Sequence, residues 1–116
     1  MPRYMVAAYL PDDYDPSTET AETIQAIHAL NAEMEAAGVL KFACGVSHPA
    51  TARTLKRKDG RMVVTDGPFI ETKEHIGGFL MIDVANIDEA LAWVKKGEAA
   101  FRGPVEIREL YYREDD

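Results

Sequence analysis

The feature that most constrains the fold is the first apolar segment, residues 3–10. If this segment is a strand, the period of two places Val6, Ala8 and Leu10 on one side. Met5 and Tyr9 then lie on the other side, so both faces are apolar. Because a strand of this kind has to be covered on both faces, the fold needs cover on each side of its sheet.

The rest of the pattern predicts alternating strands and helices. A first helix, capped by Ser17 or Thr18, is expected to end at Gly38, and a second runs from a cap at Asn86 to Gly97. Further strands are predicted at 39–46, 51–58, 61–65, 77–84 and 105–112. In the strand at 39–46, alternation is expected to place four residues on one face, namely Leu40, Phe42, Cys44 and Val46.

This order of elements predicts an α+β fold of the ferredoxin-like βαββαβ type with an added β-hairpin. The hairpin is indicated by Asp59-Gly60, since both positions of such a turn tolerate positive φ. Two helices would cover one face of the antiparallel sheet. The simplest cover for the other face is a second copy of the chain, so we expect a homodimer whose sheets face each other.

Length and charge narrow the class of protein. A chain of 116 residues fits one domain, 1–116. Thirteen basic against 20 acidic residues give a net charge of −7. This balance argues against nucleic acid or an anionic membrane as the main partner. The one cysteine, Cys44, excludes an intramolecular disulfide, and no apolar run approaches the ~18 residues of a membrane span, so a cytoplasmic location is predicted.

One segment resembles a family signature. Residues 64–74, Val-Thr-Asp-Gly-Pro-Phe-Ile-Glu-Thr-Lys-Glu, resemble the signature of the DGPF family, within the YCII-related domain superfamily. Segments spread over nearly the whole chain resemble the same family, at 31–34, 37–40, 49–52, 77–79, 88–93 and 105–108.

The resemblance implies a ferredoxin-like fold that pairs into a dimeric α/β barrel. It also implies a poorly defined function, because such proteins are mostly uncharacterised and some accompany extracytoplasmic-function sigma factors. Short YCII-like relatives are thought to carry a His–Asp pair in a cleft. His28 falls within one position of that histidine, whereas Lys96-Gly97 stands where those relatives have Asp-Pro.

His28 and Asn31 are the first candidates for a site. Helical spacing places them on one strip with Glu35, beside the apolar stripe of the first helix. His28 would be the acid or base of a catalytic site, because an imidazole ordinarily titrates near ~6.5. The alternative is a boundary histidine at a solvated helix edge.

Asp66 and the charged segment after it are the second group of candidates. The turn could project Asp66 over a pocket as a base, with Glu71, Lys73 and Glu74 as ligand-binding residues. Alternatively, Asp66 only closes the turn, since aspartate is common at the first turn position. Phe69 is expected to be a core residue that holds the turn down.

Two hypotheses of function remain open. In the first, a small-molecule site, enzymatic or not, is lined by His28, Asn31, Asp66 and the segment 71–74. In the second, the chain is a non-enzymatic regulatory module that binds a protein such as a sigma factor. No metal is predicted, since Cys44, His48 and His75 lack the spacing of a zinc site, and no common cofactor motif is present.

Overall fold

The computed structural model describes residues 1–111. It contains two helices, α1 (Ala21–Ala36) and α2 (Ile87–Lys96). The strands are β1 (Arg3–Pro11), β2 (Leu40–Gly45), β3 (Arg53–Lys58), β4 (Arg61–Asp66), β5 (Glu74–Asp83) and β6 (Val105–Leu110). The predicted α+β class is confirmed. The predicted end of the last strand at Tyr112 lies outside the described residues.

Four strands form one antiparallel sheet in the order β2-β5-β1-β6. The two central strands are β1 and β5, in which Val6 is the partner of Leu80. On the other side of β1, Val6 is the partner of Ile107. The first strand therefore lies in the middle of the sheet, as its two apolar faces require.

Both helices pack on one face of this sheet. The buried cluster joins Leu30 and Met34 of α1 and Ala90 of α2 with Val6 and Ile82 of the central strands. Met34, Val6 and Ile82 have almost no exposed surface. Burying side chains of this size stabilises the fold by about 1.5–3 kcal/mol each, so this layer is the main source of stability.

The opposite face of the sheet, here called the open sheet face, is apolar across β1, β5 and β2 and carries charged side chains at its margins. Alternation along the registered strands places six apolar residues on it, namely Met5, Ala7, Phe42, Cys44, Phe79 and Met81, and the charged residues Arg3, Asp83, Glu106 and Arg108. The rings of Phe42 and Phe79 are in contact, with centroids 5.7 Å apart. Cys44, on the same face, is exposed in the single chain.

The register of β2 corrects one expectation about its faces. Leu40 pairs with Ile82, but Phe42 pairs with Met81, because the register shifts between them. A bulge of this kind inserts one residue into the strand and reverses the alternation beyond it. Leu40 therefore packs against the core on the helix side, whereas Phe42 and Cys44 lie on the open sheet face.

The caps of the two helices are only partly as predicted. Asn86 caps α2 as expected, with its side-chain oxygen accepting from the N–H of Glu89 at 3.0 Å. In α1, however, the cap is Thr20, whose hydroxyl accepts from the N–H of Thr23 at 3.1 Å. The predicted Ser17 and Thr18 belong instead to a separate short 3₁₀ turn that Asp15 caps.

Strands β3 and β4 form a separate two-stranded hairpin, here called the arm. Its turn, Asp59-Gly60, has φ values of 53° and 81°, so the predicted hairpin is confirmed. The described chain measures 49 × 41 × 19 Å, with a radius of gyration of 16.4 Å. A compact domain of this length would have about 13 Å. The arm therefore extends away from the body of the molecule.

Among residues 1–111, no helix is both long enough and apolar enough to cross a membrane.

Candidate functional site

A cavity of about 350 Å³ lies between α1 and the end of the sheet. A volume of this size is at the lower end of the range for small-molecule sites, about 300–1,000 Å³. Its walls come from α1, from strands β1, β2 and β5, and from the segment that follows α2. The lining residues are Val6, Ala8, Ile27, His28, Leu30, Asn31, Ala43, Cys44, Gly45, Gly77, Gly78, Phe79, Leu80, Ala100, Phe101 and Arg102.

The cavity exists because one row of the sheet lacks large side chains. Gly45, Gly78 and Ala8 are register neighbours across β2, β5 and β1. The next row, Ala43, Leu80 and Val6, includes the larger side chains of Leu80 and Val6 and also lines the cavity. The small side chains of the first row leave space between the sheet and α1, and this space is part of the cavity.

Two of the predicted site residues lie on its wall. His28 and Asn31, one helical turn apart on α1, both line the cavity. His28 is exposed, whereas Asn31 is half-buried. The imidazole is therefore at the mouth, where it can reach both solvent and a bound molecule, and the amide is deeper. Glu35, which helical spacing placed on the same strip, is not among the lining residues.

Arg102, from the segment that follows α2, also lines the cavity. Its guanidinium forms an ion pair with Glu19, a side chain that is only 13% exposed. The other carboxylate oxygen of Glu19 accepts a hydrogen bond from the hydroxyl of Tyr14. The guanidinium also lies over the Tyr14 ring, 5.6 Å from its centroid. These contacts join the loop before α1 to the loop before β6 and fix the position of Arg102.

The environment of Tyr14 changes its titration. Burial is the largest cause that raises the pKa of its hydroxyl above 10.0, and the hydrogen bond to Glu19 raises it further. The charge of Arg102 opposes these effects. The phenol therefore stays protonated around neutral pH and remains a donor to Glu19.

Asp66 lies at the base of the arm. It is the register partner of Arg53, and the two form an ion pair at 3.1 Å. The Asp66 side chain is 87% exposed, so the pair contributes little to stability. Asp66 is not among the residues that line the cavity. Its grouping with His28 in one site stays a prediction.

The charged segment after the turn is likewise exposed. Glu71, Lys73 and Glu74 are exposed and do not line the cavity. The carbonyl of Lys73 accepts from the N–H of Asp12 at 2.8 Å, which ties this segment to the loop after β1. The prediction that Phe69 lies in the core is wrong: 69% of its surface is exposed, and Nζ of Lys56 in the arm lies 5.8 Å from its ring centroid.

His48 and His75 form an edge-on pair, with ring centroids 5.5 Å apart. Nδ1 of His48 accepts from the N–H of Ala50, so Nε2 carries the proton and donates to the carbonyl of Asp12, each at 3.0 Å. His48 is therefore a structural link between two loops. Within residues 1–111, no three histidine, cysteine or acidic side chains are grouped as a metal site requires.

Sequence reasoning missed Arg102 and the row of small residues. Arg102 stands alone in a loop, and only the fold brings it beside α1. The glycines did leave a signal, because Gly45 and the pair Gly77-Gly78 lie in or next to strands, where glycine weakens the sheet. Glycine at such positions marks a place where a ligand or another backbone comes close.

The chain is similar to known proteins. The model of the YCII-related domain matches residues 1–112. An uncharacterised protein of Rhizobium meliloti (strain 1021) is 34% identical over 94 residues, which cover 79% of this chain and 76% of that protein.

Proposed function

The chain belongs to the YCII-related domain family, and we propose that it binds a small molecule in the cavity between α1 and the sheet. The observation that carries this proposal is the row of Ala8, Gly45 and Gly78, which leaves a cavity of about 350 Å³ open above the sheet. Natural proteins rarely keep voids larger than a water molecule in or beside a core without a use for them. The mostly apolar walls with a few polar side chains are typical of ligand sites.

His28 is the group that gives this cavity catalytic potential. An imidazole at the mouth can exchange protons with solvent and with a bound molecule, which is the requirement for general acid–base catalysis. We propose that His28 and Asn31 contact the ligand. In this proposal, assembly of two chains brings Asp66, at the base of the arm, and the segment with Glu71, Lys73 and Glu74 that follows it to a cavity.

The cavity proposal is tested by filling the space. Replacing Ala8→Leu puts a larger side chain into the small row, whereas Ala29→Leu adds the same side chain on the exposed side of α1. Amide NMR spectra of each protein are recorded with a library of neutral and charged fragments. We expect some fragments to shift the resonances of the cavity residues, and Ala8→Leu to weaken their binding at least tenfold.

The control variant Ala29→Leu should bind the fragments like the unmodified protein. If no fragment shifts the cavity resonances, or if Ala8→Leu binds them as tightly as Ala29→Leu, the proposed function is wrong.

We further propose that two copies pair through their open sheet faces, as a ferredoxin-like dimeric α/β barrel of the DGPF type. The strand order β2-β5-β1-β6, with both helices on one face, supports the ferredoxin-like assignment. The open sheet face supports the pairing, because it presents Met5, Phe79 and Met81 and has Phe42 47% exposed. Contiguous apolar surface of this kind marks an interaction site.

The arm supports the same assembly. It carries exposed apolar side chains on both strands, including Leu55, Met62 and Val64. Because a two-stranded hairpin is at best marginally stable in water, it gains stability by packing against other protein. A second copy that covers the open sheet face would bring such a surface within reach of the arm.

Charge placed on the open sheet face tests the pairing. Phe42→Glu and Leu91→Glu replace apolar residues of similar exposure, 47% and 41%. Leu91 lies on α2, where Lys95 follows at i+4 and accommodates a glutamate. By light scattering we expect the unmodified protein and Leu91→Glu to have twice the chain mass of 12.9 kDa. Phe42→Glu should have the mass of one chain. A single-chain mass for the unmodified protein contradicts the dimer.

A further inference from the structure

Within the described residues, the polar side chains that line the cavity can donate hydrogen bonds to an anion, and no carboxylate lies among them. Asp and Glu outnumber Lys and Arg by 20 to 13 in the chain, yet no Asp or Glu among residues 1–111 lines the cavity. The polar lining side chains include Arg102, His28 and Asn31. All three carry N–H donors, and Arg102 carries a permanent positive charge. A cationic head group would find no carboxylate on these walls, whereas an anionic one would find donors.

The position of Arg102 leaves donors available for a ligand. Its ion pair with Glu19 uses Nη1, and a guanidinium has five N–H donors. Both oxygens of Glu19 are engaged, one by Arg102 and the other by Tyr14. This carboxylate thus orients the guanidinium and is itself occupied. A planar guanidinium fixed in this way suits a carboxylate better than a single point charge does.

The remaining walls of the cavity are apolar and therefore favour a ligand with an apolar body. Ile27 and Leu30 of α1, Leu80 of β5 and Phe101 surround the space with apolar surface. Apolar walls exclude water, and hydrogen bonds to charged groups are stronger where water is excluded. A molecule with an apolar body and one anionic end would match both parts of the cavity.

We infer that the cavity binds an apolar small molecule through a carboxylate group, which Arg102 recognises with His28 at the mouth. This inference rests on the proposed function of the cavity. It names the chemical class of the ligand, and it assigns to Arg102 the role of binding the ligand's carboxylate.

Three probes with the same apolar body separate the charge of the head group from its size. They are 3-phenylpropanoate, 3-phenylpropanamide and 3-phenylpropylamine, which carry a negative, a neutral and a positive end. Dissociation constants are measured by amide NMR titration, following the resonances of Gly45 and Gly78 in the cavity. We expect the carboxylate to bind at least tenfold more tightly than the amide, and the amine to bind most weakly.

Two variants identify the residues responsible. Arg102→Gln should abolish most of the preference for the carboxylate over the amide, and His28→Gln should reduce it by a smaller factor. Arg61→Gln makes the same change at the tip of the arm and should leave the preference intact. Because Arg102→Gln also removes a partner of Glu19, its fold is checked by the amide spectrum. If that variant does not fold, the inference is tested by two other measurements. These are the affinities of the unmodified protein for the three probes and the preference of His28→Gln for the carboxylate over the amide.

The outcomes separate this inference from the function on which it rests. Equal affinity for the three probes, or tightest binding of the amine, overturns the carboxylate assignment and leaves the small-molecule site in place. Binding of neutral fragments in the cavity with no binding of 3-phenylpropanoate has the same meaning. Failure of every fragment in the library to bind there overturns both.

Discussion

A methyl group on Gly78 would lie 2.9 Å from the carbonyl oxygen of Cys44 on the neighbouring strand. This separation is shorter than a β-carbon normally tolerates, and the obstacle is backbone that cannot rotate away. We therefore expect Gly78→Ala to lower the free energy of unfolding by about 1–3 kcal/mol, the usual cost of overpacking. Urea unfolding followed by circular dichroism measures this change.

Gly45, in the same row, is the matched control. A β-carbon there would meet only the carbonyl oxygen of Gly77, at 3.8 Å, which is ordinary contact. Because glycine inside a strand costs about 0.5–1 kcal/mol relative to alanine, Gly45→Ala should be neutral or slightly stabilising. Equal destabilisation by the two variants would show that close backbone approach does not explain Gly78.

The cap of α1 provides a second prediction. Thr20→Ala removes the hydroxyl that accepts from the N–H of Thr23, and we expect it to lower the free energy of unfolding by about 1 kcal/mol. Thr18→Ala removes the same hydroxyl from the 3₁₀ turn before the helix and should cost less. A larger loss for Thr18→Ala in thermal or urea unfolding would contradict the assignment of the cap.

The buried hydroxyl of Tyr4 leads to a prediction about the free energy of unfolding at alkaline pH. Burial in the core is the largest cause that raises the pKa of its hydroxyl above 10.0, and the charges of Glu109 and Asp88 add to it. The folded state therefore holds this proton more tightly than the unfolded chain does. The stability that Tyr4 contributes in this way is fully present below about pH 10, the unfolded pKa, and is lost as pH rises through the folded pKa.

The measurement is the urea midpoint between pH 8 and 11.5. We expect it to fall less steeply above pH 10 in Tyr4→Phe than in the unmodified protein, because the variant has no proton to lose at this position. Tyr111→Phe, which removes a hydroxyl from an exposed residue, should follow the unmodified protein. Identical curves for Tyr4→Phe and Tyr111→Phe would refute the role of Tyr4.

Deleting the arm tests whether it stabilises the body of a single chain or the proposed dimer. The N–H of Gly67 donates to the carbonyl of Ala52 at 2.8 Å, so the two ends of the arm already meet. Replacing residues 53–66 by Gly-Ser should leave a body that still unfolds cooperatively, since β3 and β4 pair only with each other. If the proposed dimer is correct, its dissociation constant should rise. Loss of cooperative unfolding would mean that the arm stabilises the body.

The sequence predicted the elements well because their signals are local. Alternation in β1, the Asp59-Gly60 turn and the cap at Asn86 each depend on a few neighbouring residues. The bulge in β2 could not be predicted, since it depends on how Leu40 and Phe42 pair with β5. The cap of α1 was misplaced because Ser17, Thr18 and Thr20 are all suitable caps, and only the folded loop selects one.

The candidate site was predicted only in part, for a different reason. His28 and Asn31 were found because helical spacing relates them to a core stripe. Arg102 was missed because its relation to α1 is tertiary, through Glu19 and Tyr14. The cavity itself depends on three small residues, Ala8, Gly45 and Gly78, which come from three strands and become neighbours only in the sheet.

The central position of β1 in the sheet affects how the chain folds during its synthesis on the ribosome. Both neighbours of β1 come from the second half of the chain, since β5 begins at Glu74 and β6 at Val105. Synthesis proceeds at about 5–20 residues per second, so the strand made first waits several seconds for its first partner. Pairings between distant segments also slow folding. During this interval both apolar sides of β1 are exposed, so extended apolar segments of other chains or chaperones that bind such segments can contact them.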